Sequence, residues 1–236
     1  MILATHQPIF LPWPGFFHKA AHVDRVVLLD DVQYPRGRTW LNRNRLKNED
    51  GELWLTVPVQ KKGRGLQSIR QVEIYDGRDW RKKHLLSIRQ NYANAPYFDE
   101  VCAAIEAIYR RKHGRLAEFN ADLIRYLWVA LSIEADLLLQ SDLGIEGKGT
   151  NLLVDICVQQ GADRLAVFPH VDKHLDTAEM ERRGVRTHHL AFRPPVYPQL
   201  WGDFIYNLST LDMLFNLGPR SAELIRGRSD RRRHSA

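Results

Sequence analysis

The chain has 236 residues, of which 44% are hydrophobic and 26% charged, a balance typical of a globular protein with a sizeable core. No stretch approaches the roughly 20 apolar residues that span a bilayer, and the start, residues 1–8, lacks the basic and apolar regions of a signal peptide. Cys102 and Cys157 have no metal-ligand spacing, so we expect two buried free thiols in a reducing, cytoplasmic setting.

Much of the positive charge is local. The formal net charge is +6, and five arginines and one aspartate lie within residues 226–233. These six residues contribute +4, which leaves about +2 for the rest of the chain, so the net charge says little about partners. We expect a single α/β domain over residues 1–225, followed by a basic, disordered tail over residues 226–236.

The first 45 residues predict a strand, a turn, a helix and a second strand. An apolar run over 2–5 leads to His6 and then to a proline-rich turn that ends at Gly15; a helical stretch over 16–23 and an apolar run over 25–29 follow. In parallel sheets, ligands lie beyond the carboxyl ends of the strands, where His6 stands. The helix N-terminus near Gly15 would attract phosphate. A nucleotide is therefore expected over this turn.

Three side chains of this unit are candidates for catalysis at the α-phosphate of ATP, namely His6, His18 and Lys19. Each could stabilise negative charge that develops there. Backbone hydrogen bonding by His6, and a surface or capping role for His18, stay open as alternatives. The pattern is similar to the nucleotidylyltransferase and adenylate-forming superfamily, which keeps its two histidines three residues apart. Twelve positions separate His6 from His18, so only an analogous arrangement is expected. Gln7 is expected to be structural or to contact the base.

The second strand ends in Asp30 and Asp31. Carboxylates at this point could hold Mg²⁺ through waters, bind a ribose or receive the substrate amine. One of the two is expected to face the site, and the other to cap a turn.

Residues 36–47 are rich in arginine. Their alternation predicts one ordered face and one basic face, whose counter-charge could be a triphosphate or a sugar diphosphate. A solvated basic loop is the alternative. The ordered face would carry Trp40, Asn42 and Asn44, and the basic face Arg43, Arg45 and Lys47.

We expect the middle of the chain to support the fold and not to form the site. Alternating apolar residues predict strands over 52–59 and 69–74, which flank a basic, glycine-rich loop. Amphipathic patterns then predict a helical insertion over about 79–131. Its three helices would span residues 79–92, 97–112 and 115–131.

A second strand–helix–strand unit is expected over residues 134–168, with a helix over 151–159. Lys148 and Thr150 precede that helix and have the chemistry to bind phosphate, although Thr150 equally suits the N-cap. Ser141 follows the strand and could bond either a ligand or the turn. The segment that contains Lys148 lacks the glycine spacing of a P-loop.

Two later segments also carry candidates. His170, Asp172 and His174 alternate, which could indicate a metal site, although an ordinary loop is the simpler interpretation. Tyr197 and Gln199 lie in an extended aromatic segment that could return to line the pocket.

Five long motifs, in order, resemble the WbqC-like protein family: HQPIFLPWPGFFHKAAHVD, LLDDVQY, WLNRNRLK, LGIEGKGTNLLVDIC and PPVYPQLWGDFIYNLSTLDMLFNLG. The resemblance reaches to about Gly218. The family is known mostly from bacterial polysaccharide and secondary-metabolite gene clusters, and its members are usually described as candidate glycine or aminoacyl transferases. The family pattern has Ser-Gly, further glycines and a Tyr at about the places of Phe168, His170 and His174, so this departure would affect substrate choice or activity.

Together these features predict an α/β, Rossmann-like fold, similar to nucleotidylyltransferases, in which a mostly parallel sheet carries a helical insertion and a small β hairpin. We expect an enzyme that uses ATP and Mg²⁺ to activate a carboxylate as an adenylate. It would pass the acyl group, for example glycine, to an amine such as an amino sugar. Arg43 and Lys148 would hold phosphates, and Asp31 would bind metal or amine.

Three alternatives remain. The first is a nucleotidylyltransferase acting on a small molecule. The second is an aminoacyl transferase that takes its donor from tRNA. The third is a non-catalytic protein that binds an anion or nucleic acid, and whose binding would weaken steeply with salt.

Overall fold

A computed structural model describes residues 1–77, 79–169 and 172–227 of the chain. Its strands are β1 (Ile2–His6), β2 (Arg25–Leu28), β3 (Arg43–Asn48), β4 (Gly51–Thr56), β5 (Asp136–Leu139), β6 (Arg164–Val167) and β7 (Arg186–His189). Its helices are α1 (Pro14–Ala20), α2 (Trp80–Tyr92), α3 (Phe98–Arg110), α4 (Leu116–Ala130), α5 (Gln140–Leu143), α6 (Gly149–Gln159), α7 (Thr177–Arg182), α8 (Thr210–Leu217) and α9 (Arg220–Arg226).

Five of these strands form a parallel sheet in the order β5, β2, β1, β6, β7. Both faces of the sheet are covered, which explains why its strands are short apolar runs. Ala4 and Leu28 face one core, and Leu3 and Val27 face the other. All four are fully buried. The predicted α/β, Rossmann-like fold is confirmed.

The order of the strands also positions a binding crevice. The chain first moves from β1 outward to β2 and β5, and then returns to the other side of β1 to form β6 and β7. The direction therefore reverses between β1 and β6. In open α/β sheets, ligands bind beyond the carboxyl ends of the strands at such a reversal. The residues at those ends here are His6 in β1 and Val167 in β6.

The helices predicted in the middle of the chain are confirmed as α2, α3 and α4, with ends shifted by one or two residues. In α4, apolar residues recur every three or four positions and pack into the main core. This buried stripe consists of Leu116, Phe119, Leu123, Ile124 and Leu127.

The small β hairpin is confirmed, but with a different partner. The strand predicted over 52–59 is β4, and it pairs antiparallel with β3, because the chain turns back between Asn48 and Gly51. Gly51 has φ of +115°, which a glycine adopts at little cost. The last five residues of the arginine-rich stretch, 43–47, are therefore ordered in a strand.

The strand predicted over 69–74 is wrong. Residues Ile69–Gln71 form a single 3₁₀ turn, and only isolated bridges join Ile74 and Glu73 to other segments. Ile69 and Val72 are both fully buried. These two positions lie three residues apart, so the apolar pattern was that of a helical turn.

Part of the predicted basic tail is ordered. Arg226 is the last residue of α9, and residues 228–236 lie outside the described residues, as does His170 of the predicted metal pattern. Cys102 and Cys157 are buried and free. Among the described helices, none is long and apolar enough to cross a membrane.

We expect the stability of the fold to decrease in acid because of His84, a buried residue on α2. Its Nε2 accepts a hydrogen bond from the Thr56 backbone N–H at 3.1 Å, and burial lowers its pKa from 6.5 to about 4. Between these two pH values the unfolded chain takes up a proton that the folded chain does not. His84 alone should therefore lower the stability by about 1.4 kcal/mol per pH unit as the pH decreases from 6.5 to 4.

Urea unfolding between pH 7 and pH 4.5 measures this slope. His84→Gln keeps an acceptor for Thr56 but cannot titrate, so its stability should depend less steeply on pH over the same range. Equal slopes for the two proteins would contradict the assignment.

Candidate functional site

Three adjoining cavities lie around the carboxyl end of β1. The central cavity, of about 490 Å³, is lined by His6, Gln7, Ile9, Trp13, Thr39, Trp40, Asn44, Arg45 and Asn207. The hairpin groove, of about 310 Å³, is lined by Arg38, Thr39, Trp40, Arg43 and Trp54. The switch pocket, of about 170 Å³, is lined by Thr5, His6, Lys19, Leu153, Leu165, Ala166, Val167, Phe168 and Leu175. His6 lines both the central cavity and the switch pocket, and Trp40 lines both the central cavity and the groove.

His6 is a neutral imidazole. Its Nδ1 lies 2.8 Å from the Gln7 carbonyl oxygen, so this nitrogen carries the proton and donates. Burial, and then the neighbouring Lys19 cation, lower the pKa of His6 to about 3. Phe16 contacts the ring edge-on at a centroid distance of 4.8 Å. The remaining nitrogen, Nε2, is a lone-pair acceptor to which no described residue donates.

Lys19 brings a buried positive charge to the same place. Its Nζ donates to the Thr5 carbonyl at 2.8 Å and lies 5.7 Å from the centroid of the Phe168 ring. Burial lowers its pKa to about 8, so the amine is still mostly charged at neutral pH. With one carbonyl partner among the described residues, this ammonium keeps donors for an anion in the switch pocket.

The structure places His18 elsewhere. Its two ring nitrogens contact the backbone carbonyls of Ile225 at 2.7 Å and Ala191 at 3.1 Å, and its ring packs against His22 and Phe192. His18 therefore ties α1 to α9, and burial lowers its pKa. It is not among the described residues that line the three cavities.

Gly15 accommodates an indole ring. A Cβ added at this position would lie 2.1 Å from the ring of Trp13. Trp13 is the N-cap residue of α1, and its side chain lines the central cavity. The absence of a side chain at Gly15 therefore lets Trp13 form one wall of that cavity.

Asp30 and Ser141 lie at a different cavity, beyond the carboxyl ends of β2 and β5. Asp30 accepts bonds from the backbone N–H of Ser141 at 2.9 Å and from its hydroxyl at 2.6 Å, and so caps the start of α5. Asp31 accepts from Arg70 Nε at 2.7 Å. The cavity measures about 750 Å³, and Asp30, Arg70 and Ser141 line it. Among the described residues, no three metal-ligating side chains form a group.

Of the four other residues predicted to contact substrate, Asn44 reaches the central cavity. Its amide donates to the carbonyl oxygens of Phe10 and Leu11, and so holds the proline loop. Asn42 donates to a backbone carbonyl inside the fold. Tyr197 and Gln199 bond Asp212 and Lys47 respectively, in a buried polar network.

The residues predicted to bind phosphate are separated. Arg43 lies in the hairpin groove, with its guanidinium 4.1 Å from the centroid of the Trp54 ring. Lys148 is the N-cap residue of α6, which begins at Gly149, so the suggested N-cap role of Thr150 is wrong. The Thr150 hydroxyl accepts a bond from the Asp176 N–H at 2.9 Å. Neither Lys148 nor Thr150 is among the described residues that line the three cavities.

A family model, the WbqC-like protein family, matches residues 7–224. The chain belongs to this family. A protein of Mycobacterium tuberculosis (strain H37Rv), described as uncharacterized, is 34% identical to this WbqC-like chain over 228 residues. These residues cover 95% of this chain and 97% of that protein. The predicted family resemblance is thereby confirmed.

Trp54 and Asn207 are among the cavity residues that the sequence analysis did not predict. Trp54 lies on β4, where Leu55 points inward and is 3% exposed while Trp54 is 39% exposed. The alternation along β4 could have predicted that Trp54 is exposed, because neighbouring side chains of a strand point to opposite faces. Asn207 has φ of +55°, a left-handed conformation that asparagine tolerates better than most residues. Its position in the central cavity depends on tertiary packing.

Proposed function

We propose that this protein activates a carboxylate with ATP and transfers the resulting acyl group, for example glycine, to an amine. The observation that carries the proposal is the neutral His6, whose Nε2 is an available acceptor where the central cavity and the switch pocket meet. This point is the reversal in strand order, where α/β sheets bind their ligands.

The proposed chemistry has two balanced steps. A carboxylate oxygen attacks the α-phosphate of ATP, the bond to the β-phosphate breaks, and pyrophosphate leaves. The amine nitrogen then attacks the acyl carbonyl, AMP leaves, and an amide forms. The attacking amine must lose one proton, and His6 Nε2 would receive it as general base.

The low pKa of His6 is compatible with this role when substrate binds. Its causes are burial and the Lys19 cation. A phosphate placed against Lys19 would offset that cation and raise the pKa of His6, because a nearby anion favours the protonated imidazole. Lys19 itself would stabilise charge on the α-phosphate and on the leaving AMP.

The chain has groups that suit ATP and Mg²⁺. Arg43 lines the hairpin groove, has no acidic partner among the described residues, and could bind a phosphate oxygen. Lys148 also lacks such a partner there, but it lies outside the three cavities. Mg²⁺ is usually held by one or two carboxylates together with the substrate phosphates. Asp31 keeps a second oxygen free of Arg70, although it lies outside the three cavities around His6.

Binding and the first step can be tested together. ATP with Mg²⁺ should raise the thermal midpoint, since a ligand at about 100 times its Kd stabilises by about 2.7 kcal/mol, whereas CTP should do less. Exchange of labelled pyrophosphate into ATP should then require a carboxylate, which a panel of amino acids would identify.

Lys19→Met keeps the volume of the side chain but removes its charge. It should lower both the affinity for ATP and the rate of pyrophosphate exchange at least tenfold. Lys82→Met changes an exposed lysine on α2 and should leave both unchanged. A nucleotide-linked product that accumulates in the presence of amines, without any amide, would contradict amide formation and identify a nucleotidylyltransferase.

A further inference from the structure

We propose that the hairpin groove is a stacking subsite for the aromatic base of a nucleotide, with Arg38 and Arg43 binding the adjoining phosphate. The proposal rests on the proposed function only for the position of the ligand's reactive end, near His6. The binding itself depends on the groove and can be measured without turnover.

Two tryptophans on the hairpin side of the cavities are stacked and exposed. The ring centroids of Trp40 and Trp54 lie 5.6 Å apart, with an interplanar angle of 29°. Their exposed fractions are 49% and 39%. Tryptophan is highly buried on average, so two neighbouring exposed indoles are an unusual feature of this surface. Indole faces stack well on nucleobases, because every base has a π-face.

The Trp54 ring is held in place before any ligand arrives. Its Nε1 donates to Glu52 at 3.2 Å, and Glu52 also forms an ion pair with Arg45. On the ring, the guanidinium of Arg43 lies 4.1 Å from the centroid. A ring fixed in this way loses little conformational entropy when a ligand stacks on it.

The charges around the groove favour an anion. Arg45 is paired with Glu52, but among the described residues neither Arg38 nor Arg43 has an acidic partner. The Nε of Arg43 is buried and has no hydrogen-bond acceptor, which is costly for a polar donor. A phosphate in the groove would pair with these two guanidinium groups, because guanidinium and phosphate match in geometry and charge.

The groove opens toward the candidate reaction site. Thr39 and Trp40 line both the groove and the central cavity, and the central cavity ends at His6. A ligand with its base on the tryptophan pair can therefore extend its other end toward His6 Nε2. ATP, a nucleotide-linked amine and the single-stranded 3′ end of an RNA all share this chemistry of a base next to a phosphate.

Isothermal titration of the full chain tests the subsite with AMP, CMP, UMP and ribose 5-phosphate, which has the phosphate but no base. Nucleoside monophosphates should bind more tightly than ribose 5-phosphate. Trp54→Ala should weaken their binding about tenfold, as expected for one stacking contact, and leave ribose 5-phosphate unchanged. Trp54→Phe should retain most of the affinity, and Arg43→Gln should weaken all four ligands.

Tyr75→Ala removes an aromatic ring that is 46% exposed outside these cavities, and serves as the matched control. Equal affinity for AMP and ribose 5-phosphate, or unchanged AMP binding in Trp54→Ala, would overturn the subsite. Further titrations identify the source of the base, since a CCA trinucleotide binding more tightly than ATP or a nucleotide sugar would indicate an RNA end. Trp54-dependent binding without any pyrophosphate exchange would retain the subsite and exclude ATP-dependent activation.

Discussion

Replacing His6 with alanine should lower turnover by about 10²- to 10⁴-fold, the usual contribution of a positioned general base. The variant removes the Nε2 acceptor at the point where the central cavity and the switch pocket meet. It also removes the Nδ1 donor to Gln7 and the edge contact with Phe16. Turnover should therefore be measured as kcat in the amide-forming assay, with the unfolding midpoint determined on the same preparation.

His22→Ala is the matched control for this prediction. His22 also belongs to the first strand–helix–strand unit, and its Nδ1 contacts the carbonyl of His18 one turn earlier. Its loss should change kcat less than twofold. His6→Gln keeps a polar side chain but offers no basic nitrogen, so its kcat should fall as far as that of His6→Ala. A His6→Ala enzyme that is folded and within a few-fold of the wild type would rule out general-base catalysis by His6.

The sequence predicts most of the sheet because local patterns determine its strands. A strand buried on both faces needs a short run of apolar residues. β1 and β2 contain such runs; β1 ends at His6, and Asp30 lies two residues beyond β2. The same reasoning placed His6 and Asp30 at the carboxyl edge of the sheet. The amphipathic repeat of α4 likewise predicts a helix from local sequence alone.

The site is harder to predict, because its polar partners are distant in sequence. Asp30 bonds Ser141, which is 111 positions away, and His18 bonds Ile225, which is 207 positions away. Neither residue type reveals whether its partner will be a ligand or the protein's own backbone. The pairing of β3 with β4 also decides that Trp54 lies beside Arg43, and a pattern read along one strand cannot show a contact across two.

Asp212→Ala should have the largest effect on stability, a loss of about 3–5 kcal/mol. Asp212 lies on α8 and is fully buried. Its carboxylate accepts the hydroxyl of Tyr92 at 2.6 Å and the hydroxyl of Tyr197 at 2.7 Å. Burial raises the pKa of Asp212, while the positive charge of the nearby Lys47 favours its ionised form. Alanine would leave two buried hydroxyls without their acceptor and Lys47 without that negative charge. Urea unfolding at pH 7 measures the loss.

This network also connects the hairpin to the rest of the fold. Lys47 belongs to β3, and its Nζ contacts Gln199 at 3.1 Å, while its backbone N–H donates to the Tyr92 hydroxyl at 2.8 Å.

Asp155→Ala, which breaks a surface ion pair with Arg183, is the control and should cost at most about 1 kcal/mol. A similar loss in both variants would contradict the buried role of Asp212. If the network positions β3, Asp212→Asn should weaken nucleotide binding in the hairpin groove even where the protein remains folded.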